Sequence, residues 1–235
     1  MPSASAPTPF LPSALTTAST HLHTVSLLSS LALHLPDLIA SPSLTLTRTA
    51  LPLAALQTVY LVLTSTSTTP TTPKAIPTTP KPASSAPKPK KTVRAKKAAT
   101  VPFAILTALA FTLVVGAPLL FLLLVAFGAP VTSHHAETLS TAVHLALLTI
   151  YPLSFTRGWD AGRWREILAL TGEVDEAVVG ALGACVGAWA GAVPIPLDWD
   201  REWQKWPVTI LVGAYAGYAL GKMVGGVWAG RKMPC

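Results

Sequence analysis

The sequence predicts an all-α fold: a polytopic integral membrane helical bundle of about six transmembrane helices, with no soluble domain. Three observations predict it. Hydrophobic residues make up 51% of the 235 positions and charged residues only 11%, whereas soluble domains are roughly a quarter charged. Apolar runs long enough to cross a bilayer recur along the chain, and mean hydropathy is +0.51. Two of these runs carry glycines four residues apart: Gly183, Gly187 and Gly191, then Gly213, Gly217, Gly221 and Gly225. A step of four advances about 400°, so each ladder drifts only about 40° per step and keeps to one helix face, as close-packing membrane helices require.

Taken in order, residues 1–20 are rich in Pro, Ser and Thr and carry no charge, which predicts a disordered N-terminus. Residues 21–63 predict two weak spans, 22–40 and 44–63. Polar residues interrupt them, among them His34, Arg48 and Gln57, so they are expected inside the bundle or near its rim. Residues 64–100 predict a Pro/Thr/Lys-rich, extended, disordered linker. It holds seven prolines between Pro70 and Pro89 and eight Lys/Arg with no acid. A four-helix membrane core is expected over 101–235, with spans at about 101–128, 137–155, 174–193 and 207–228. The first of these has no charge over 28 residues and is expected to kink near Gly116 and Pro118. Between the second and third, Trp159 and Trp164 stand among Arg157, Arg163 and Arg165, as interfacial residues should.

The net charge of +7 misleads, because the linker alone supplies eight positive charges and the rest of the chain sums to −1. A basic face for nucleic acid is therefore not expected. Six spans put both termini on one side. The termini, the linker and loop 156–173 hold 13 Lys/Arg, against Arg48, Arg201 and Lys205 opposite. By the positive-inside rule both termini are cytosolic and loop 194–206 faces the other way. The first 47 residues lack the Lys or Arg of a signal-peptide n-region, so insertion is expected to rest on an internal span. Cys185 and Cys235 do not make a disulfide framework.

No catalytic constellation is expected. The triplet Asp198-Trp199-Asp200 has the D-x-D form that holds a divalent metal in sugar transferases, and two carboxylates at i and i+2 share a face only in extended chain. Arg201 and Lys205 stand beside it, so ion pairing among the loop's own charges is the simpler use, and neither metal nor cofactor is expected. His134 and His135 are adjacent and cannot chelate as an i,i+4 pair. Three tryptophans and five charges within nine residues exceed what anchoring at headgroup depth needs. This density points equally to a recognition surface. The glycine ladders have two uses: packing on each other, or receiving a helix of another protein along Gly213 to Gly225. Lys222 is expected to snorkel to the cytosolic interface, with a buried carboxylate pairing as the alternative.

The stretch Gly191-Ala192-Val193-Pro194-Ile195-Pro196-Leu197-Asp198-Trp199-Asp200-Arg201-Glu202-Trp203-Gln204-Lys205-Trp206-Pro207, followed by a glycine-rich helix, resembles the signature of the PIG-F family of glycosylphosphatidylinositol (GPI) anchor biosynthesis proteins. The preceding Gly187 to Ala192 fits as well. The match is specific over about 183–225 and compatible over 101–182. Before residue 63 it amounts to a count of spans, and the linker has no counterpart.

The resemblance implies a multi-pass endoplasmic reticulum protein without catalytic residues. Such a protein binds and stabilises the ethanolamine phosphate transferases that add phosphoethanolamine to mannoses of the GPI precursor. Its implied partners are those catalytic subunits and membrane lipids, with no nucleic acid. Pro194, Pro196, Asp198, Trp199, Asp200, Arg201, Trp203, Gln204 and Trp206 in the loop, with Gly213, Gly217, Gly221 and Gly225, become the candidate partner-binding residues. The alternatives are a membrane phospho- or glycosyl-transferase using Asp198 and Asp200, or a lipid-handling protein with His34, Arg48, Gln57 and His144 lining a groove.

Overall fold

The computed structural model describes residues 14–67, 91–172, 174–197 and 199–229. Among these, helices supply the regular structure: α1 (Ala14–Ala40), α2 (Pro42–Ser67), α3 (Lys91–Phe111), α4 (Ala117–Ala126), α5 (His135–Leu148), α6 (Ile150–Arg157), α7 (Ala161–Leu168), α8 (Glu176–Ala192) and α9 (Val208–Trp228). Five helical stretches are long and apolar enough to cross a membrane: Thr16–Ala40, Pro42–Ser65, Val101–Ala126, His135–Arg157 and Val208–Trp228.

The expected third span is one helix with a defect. A single π turn, Thr112–Gly116, joins α3 to α4, and Ala117 N–H reaches back to the carbonyl of Thr112. Pro118 follows at once and has no N–H to donate, so the ladder is loosened where the sequence places the kink. The fourth span breaks at Thr149, between α5 and α6, four residues after Leu145 and just ahead of Pro152. The short helix α7 is capped by Asp160, whose Oδ1 accepts from Gly162 N–H at 2.8 Å. Trp164 and Ile167 of α7 lie against a small apolar cluster of Leu153, Val178 and Ala181.

The ends of the expected linker differ from expectation. Residues 64–67 close α2, and 91–100 open α3, which starts ten residues ahead of the uncharged run. Lysines and alanines are good helix formers once the prolines end. The centre of the linker, 68–90, lies outside the described residues. Likewise 14–20 belong to α1, and the rest of the expected N-terminal lead-in lies outside them.

The helix α8 has 17 residues, about 26 Å, short for a span. It nonetheless runs antiparallel to α9 over nearly the whole of that helix: Gly191 faces Thr209 at one end, and Gly225 faces Asp175 at the other. The weak helices α1 and α2 also run the depth of the bundle. Thr20 and Tyr60 meet Glu176 at the end of the hairpin away from its loop. Leu46, near the α1–α2 turn at Ser41-Pro42, meets His144 of α5.

Candidate functional site

The hairpin α8–α9 is a backbone-to-backbone seam. A Cβ added to Gly183 would collide with the carbonyl of Gly217, one on Gly187 with that of Gly213, and one on Gly191 with that of Thr209. The reverse holds: Gly213 meets Gly187, Gly217 meets Gly183, Gly221 meets Val179, and Gly225 meets Asp175. Of the two uses open to the ladders, packing on each other is the one realised. The four ladder glycines of α9 are covered by α8. Small residues permit this approach, and dispersion with Cα–H···O contacts holds it where no hydrophobic force acts between helices.

Loop 193–207 is organised by one side chain. Gln204, buried, donates from Nε2 to the carbonyls of Pro194 at 2.7 Å and Leu197 at 2.8 Å. Its Oε1 accepts from Arg201 N–H at 3.0 Å. The amide thus ties the two limbs of the loop through three bonds. Trp206 anchors the loop from outside: its Nε1 donates to Thr138 Oγ1 at 3.1 Å, and that hydroxyl lies 2.7 Å from the Pro130 carbonyl, so loop 127–134 joins the signature loop. Pro207 is buried, whereas Pro194 is partly exposed and Pro196 exposed.

This leaves an outward apolar surface. Trp199 is 54% exposed and Trp203 39%, with ring centroids 5.9 Å apart, and Ile195 and Leu197 stand exposed on the opposite limb. Glu202 and Lys205 pair with each other, the internal pairing the sequence favours for the loop's charges. Asp200 and Arg201 are exposed. Asp200 has φ +51°, in the left-handed region, which is not the extended geometry that would align a D-x-D pair. Asp198 lies outside the described residues.

At the other end of the hairpin the structure corrects one expectation. Lys222 does not snorkel; it is 1% exposed. Its Nζ lies 2.8 Å from His23 Nδ1 and 3.4 Å from the centroid of the Tyr60 ring, a cation–π contact. His23 stacks on Tyr60 at 4.3 Å. Tyr60 and Thr20 donate to the same oxygen of Glu176, at 2.6 and 2.9 Å. Beside this cluster Tyr218 donates to Gln57 at 3.3 Å. Because α1 covers the last turns of α9, the lysine finds acceptors within reach and need not stretch to water.

His144 joins three helices. Its Nε2 lies 3.0 Å from the Leu46 carbonyl, which can only accept, so Nε2 carries a proton. Its Nδ1 lies 2.9 Å from the Tyr215 hydroxyl. His34 and His144 border a cleft of about 20 Å³, room for about one water. Arg48 is exposed and Gln57 is buried against Tyr218, so the four polar residues of the lipid-groove reading do not line one channel. His134 sits 3.9 Å from Glu137.

Thr138, Tyr60, Tyr218 and Glu176 were not singled out by the sequence reading. Only the polar residues within apolar runs hinted at them. Arg157 Nη2, in contrast, meets Asp175 Oδ2 at 2.5 Å, tying the end of α6 to the residue that caps α8 through Val178 N–H.

The model of the GPI biosynthesis protein family Pig-F matches residues 22–226, reaching back through the first two helices, where the signature alone offered only a span count. A Glycosylphosphatidylinositol anchor biosynthesis protein 11 of Pyricularia oryzae is 50% identical over 125 residues, 53% of this chain and 47% of that protein. Its namesake in Aspergillus fumigatus is 52% identical over 119 residues, 51% and 40% respectively. A human protein named GPI ethanolamine phosphate transferase, stabilizing subunit, is 34% identical over 108 residues, 44% of this chain and 49% of that protein. The chain spans about half the length of the curated relatives it matches. No solved structure matches it. Matched over most of its length, from the first weak helix to the end of the glycine hairpin, the chain belongs to the PIG-F family of GPI biosynthesis proteins.

Proposed function

We propose that this chain is a non-catalytic membrane subunit. It binds and stabilises the ethanolamine phosphate transferase, or transferases, that add phosphoethanolamine to mannose of the GPI-anchor precursor. The observation that carries the reading is the exposed Trp199–Trp203 pair, held out by the Gln204 staple at the end of the close-packed glycine hairpin. Rigid exposed aromatics bind a protein at low entropic cost. The human relative's name, a stabilizing subunit, supports the same role.

The glycine ladders serve it indirectly, by fixing the hairpin that aims the loop. The protein sits in the endoplasmic reticulum membrane with both termini cytosolic and loop 194–206 lumenal, as the charge bias indicates. A glycan-acceptor site introduced beside Leu197 then acquires a glycan.

Affinity purification from membranes tests the partner. Trp199→Ala with Trp203→Ala is expected to lower recovery of the transferase by about tenfold or more, a loss of at least about 1.4 kcal/mol, while this chain's own abundance holds. Full recovery with the double variant would exclude the loop as the docking surface. Intact complex lacking transfer activity in an Asp200→Asn variant would instead favour an enzyme using the acidic loop.

A further inference from the structure

We infer that the first turns of α3 bind anionic phospholipid headgroups of the leaflet beside them, through charge and not through a headgroup-shaped pocket. The helix starts ten residues ahead of the uncharged span, and Lys91, Arg94, Lys96 and Lys97 fall within those ten. No Asp or Glu occurs in the sequence between Asp37 and Glu137, so the stretch carries no acid of its own to pair with them.

Continuity of the helix turns this run of charge into a surface. On a loose linker the cations would wander away from the membrane; on α3 they hold fixed heights above it. The span opens at Val101. At the rise of an α-helix, Lys97 stands about 6 Å and Lys91 about 15 Å beyond Val101 along the axis. The headgroup layer is itself about 5–7 Å deep, and the Debye length at physiological salt is about 8 Å. All four charges therefore lie within about two Debye lengths of the hydrocarbon edge, where each basic residue attracts anionic lipid. At 100° per residue the four positions spread over about 220° of the helix circumference. A partner helix reads a single stripe, whereas lipid surrounds a span, so this spread suits headgroups better than a protein face. Phe103 and Leu106, in the first turns of the span, are 70% and 66% exposed, so this chain leaves the helix end open. Nucleic acids and acidic proteins carry the same sign, but the span itself holds the leaflet's lipids within reach, at an effective concentration that favours them. The span Val101–Ala126 has 26 residues, about 39 Å, against about 30 Å of hydrocarbon. It must tilt or bend, and a basic collar on the headgroups fixes the end from which it does so. The inference rests on the proposed cytosolic side for the start of α3, because the cytoplasmic leaflet carries the anionic lipid.

The test uses the full chain in phosphatidylcholine vesicles with identical leaflets and a trace of spin-labelled phosphatidylserine or phosphatidylcholine. The fraction of label immobilised by the protein reports the association of each lipid. At about 10 mM salt, phosphatidylserine is expected to associate at least about twofold more strongly than phosphatidylcholine. The preference should vanish at about 1 M salt, where the Debye length falls from about 30 to about 3 Å. Lys91→Gln, Arg94→Gln, Lys96→Gln and Lys97→Gln together keep helix propensity and are expected to remove most of the preference. Arg163→Gln with Arg165→Gln, on α7, should leave it in place. Equal association of the two lipids at low salt would overturn the proposal, as would a preference that survives the α3 substitutions. A phosphoinositide retained at about 1 M salt would show a built headgroup pocket and overturn recognition by charge. Stoichiometric crosslinking from residue 92 to another protein in native membranes would assign these turns to that partner instead. Because the vesicles are symmetric, a negative result here concerns lipid binding alone, and an error in sidedness shows only in the glycan-acceptor test at Leu197. The salt arm needs no variant, so a misfolded quadruple variant leaves the result decisive.

Discussion

Two seams of this bundle work by opposite means. Between α8 and α9 the glycines strip side chains away and carbonyl oxygens sit where a Cβ would otherwise be. Between the α1–α2 pair and the rest of the bundle, side chains do the joining: His23 with Lys222, Thr20 and Tyr60 with Glu176, Gln57 with Tyr218, and the Leu46 carbonyl with His144. Lipid tails are as apolar as leucine, so neither seam draws on hydrophobic force between helices. The glycine seam gains dense contact and tolerates no added volume. The polar seam satisfies groups that would be costly facing lipid, and its strength is limited because those groups find other partners when separated. The difference teaches where the molecule is brittle.

The largest effect is expected from Gly187→Leu or Gly217→Leu. Each puts a branched side chain onto an opposing carbonyl, at about 3 kcal/mol or more. Thermal aggregation of the solubilised protein should shift strongly, and transferase recovery should fall with it. A stable Gly217→Leu protein would break the comparison by showing that the seam can open.

Next comes Gln204→Leu, which removes the staple, leaves Arg201 N–H unmet and leaves the Pro194 and Leu197 carbonyls only their backbone donors, at about 1–3 kcal/mol confined to the loop. Proteolysis between 194 and 206 should quicken while the melting of the helices moves little. Equal protection of the loop would show that the Trp206–Thr138 bond alone suffices.

Lys222→Met keeps the apolar stem and deletes the ammonium, and about 0.6–1.7 kcal/mol is expected for such a link. The readout is thermal stability in detergent. A shift matching that of Gly217→Leu would erase the distinction between the seams. The smallest effect is expected from Thr20→Ala, about 0.6 kcal/mol. Combined with Tyr60→Phe it should be non-additive, because both hydroxyls act on the same Glu176 oxygen.

Much of this was legible beforehand, for reasons that can be given residue by residue. The glycine spacing of four fixed which face of α8 and α9 is bare, and Pro118 marked the defect that became the π turn at Thr112–Gly116. The aromatic loop was legible as a surface because Trp, Asp and Arg crowd it. What held the loop was not: Gln204 reads as an ordinary polar residue until Pro194 and Leu197 turn their carbonyls toward it. A lysine near a helix end normally reaches water, and nothing in the helix of Lys222 reveals that α1 covers it. The polar residues of α1 and α2 read as costs in the sequence, and their partners in the rest of the bundle lie from 93 to 199 residues away along the chain.

The sequence by itself determined the class, the bare helix faces, the charge asymmetry and the family signature, because each depends on local periodicity, local composition or residue order. Tertiary structure alone decided that the two ladders face each other and that Lys222 is buried against His23 and Tyr60. These are choices of partner among helices distant in sequence, and in a bilayer the choice rests on shape and hydrogen-bond matching, which no single segment carries. The glycine hairpin was legible as a device for close approach; what it approaches, only the fold could say.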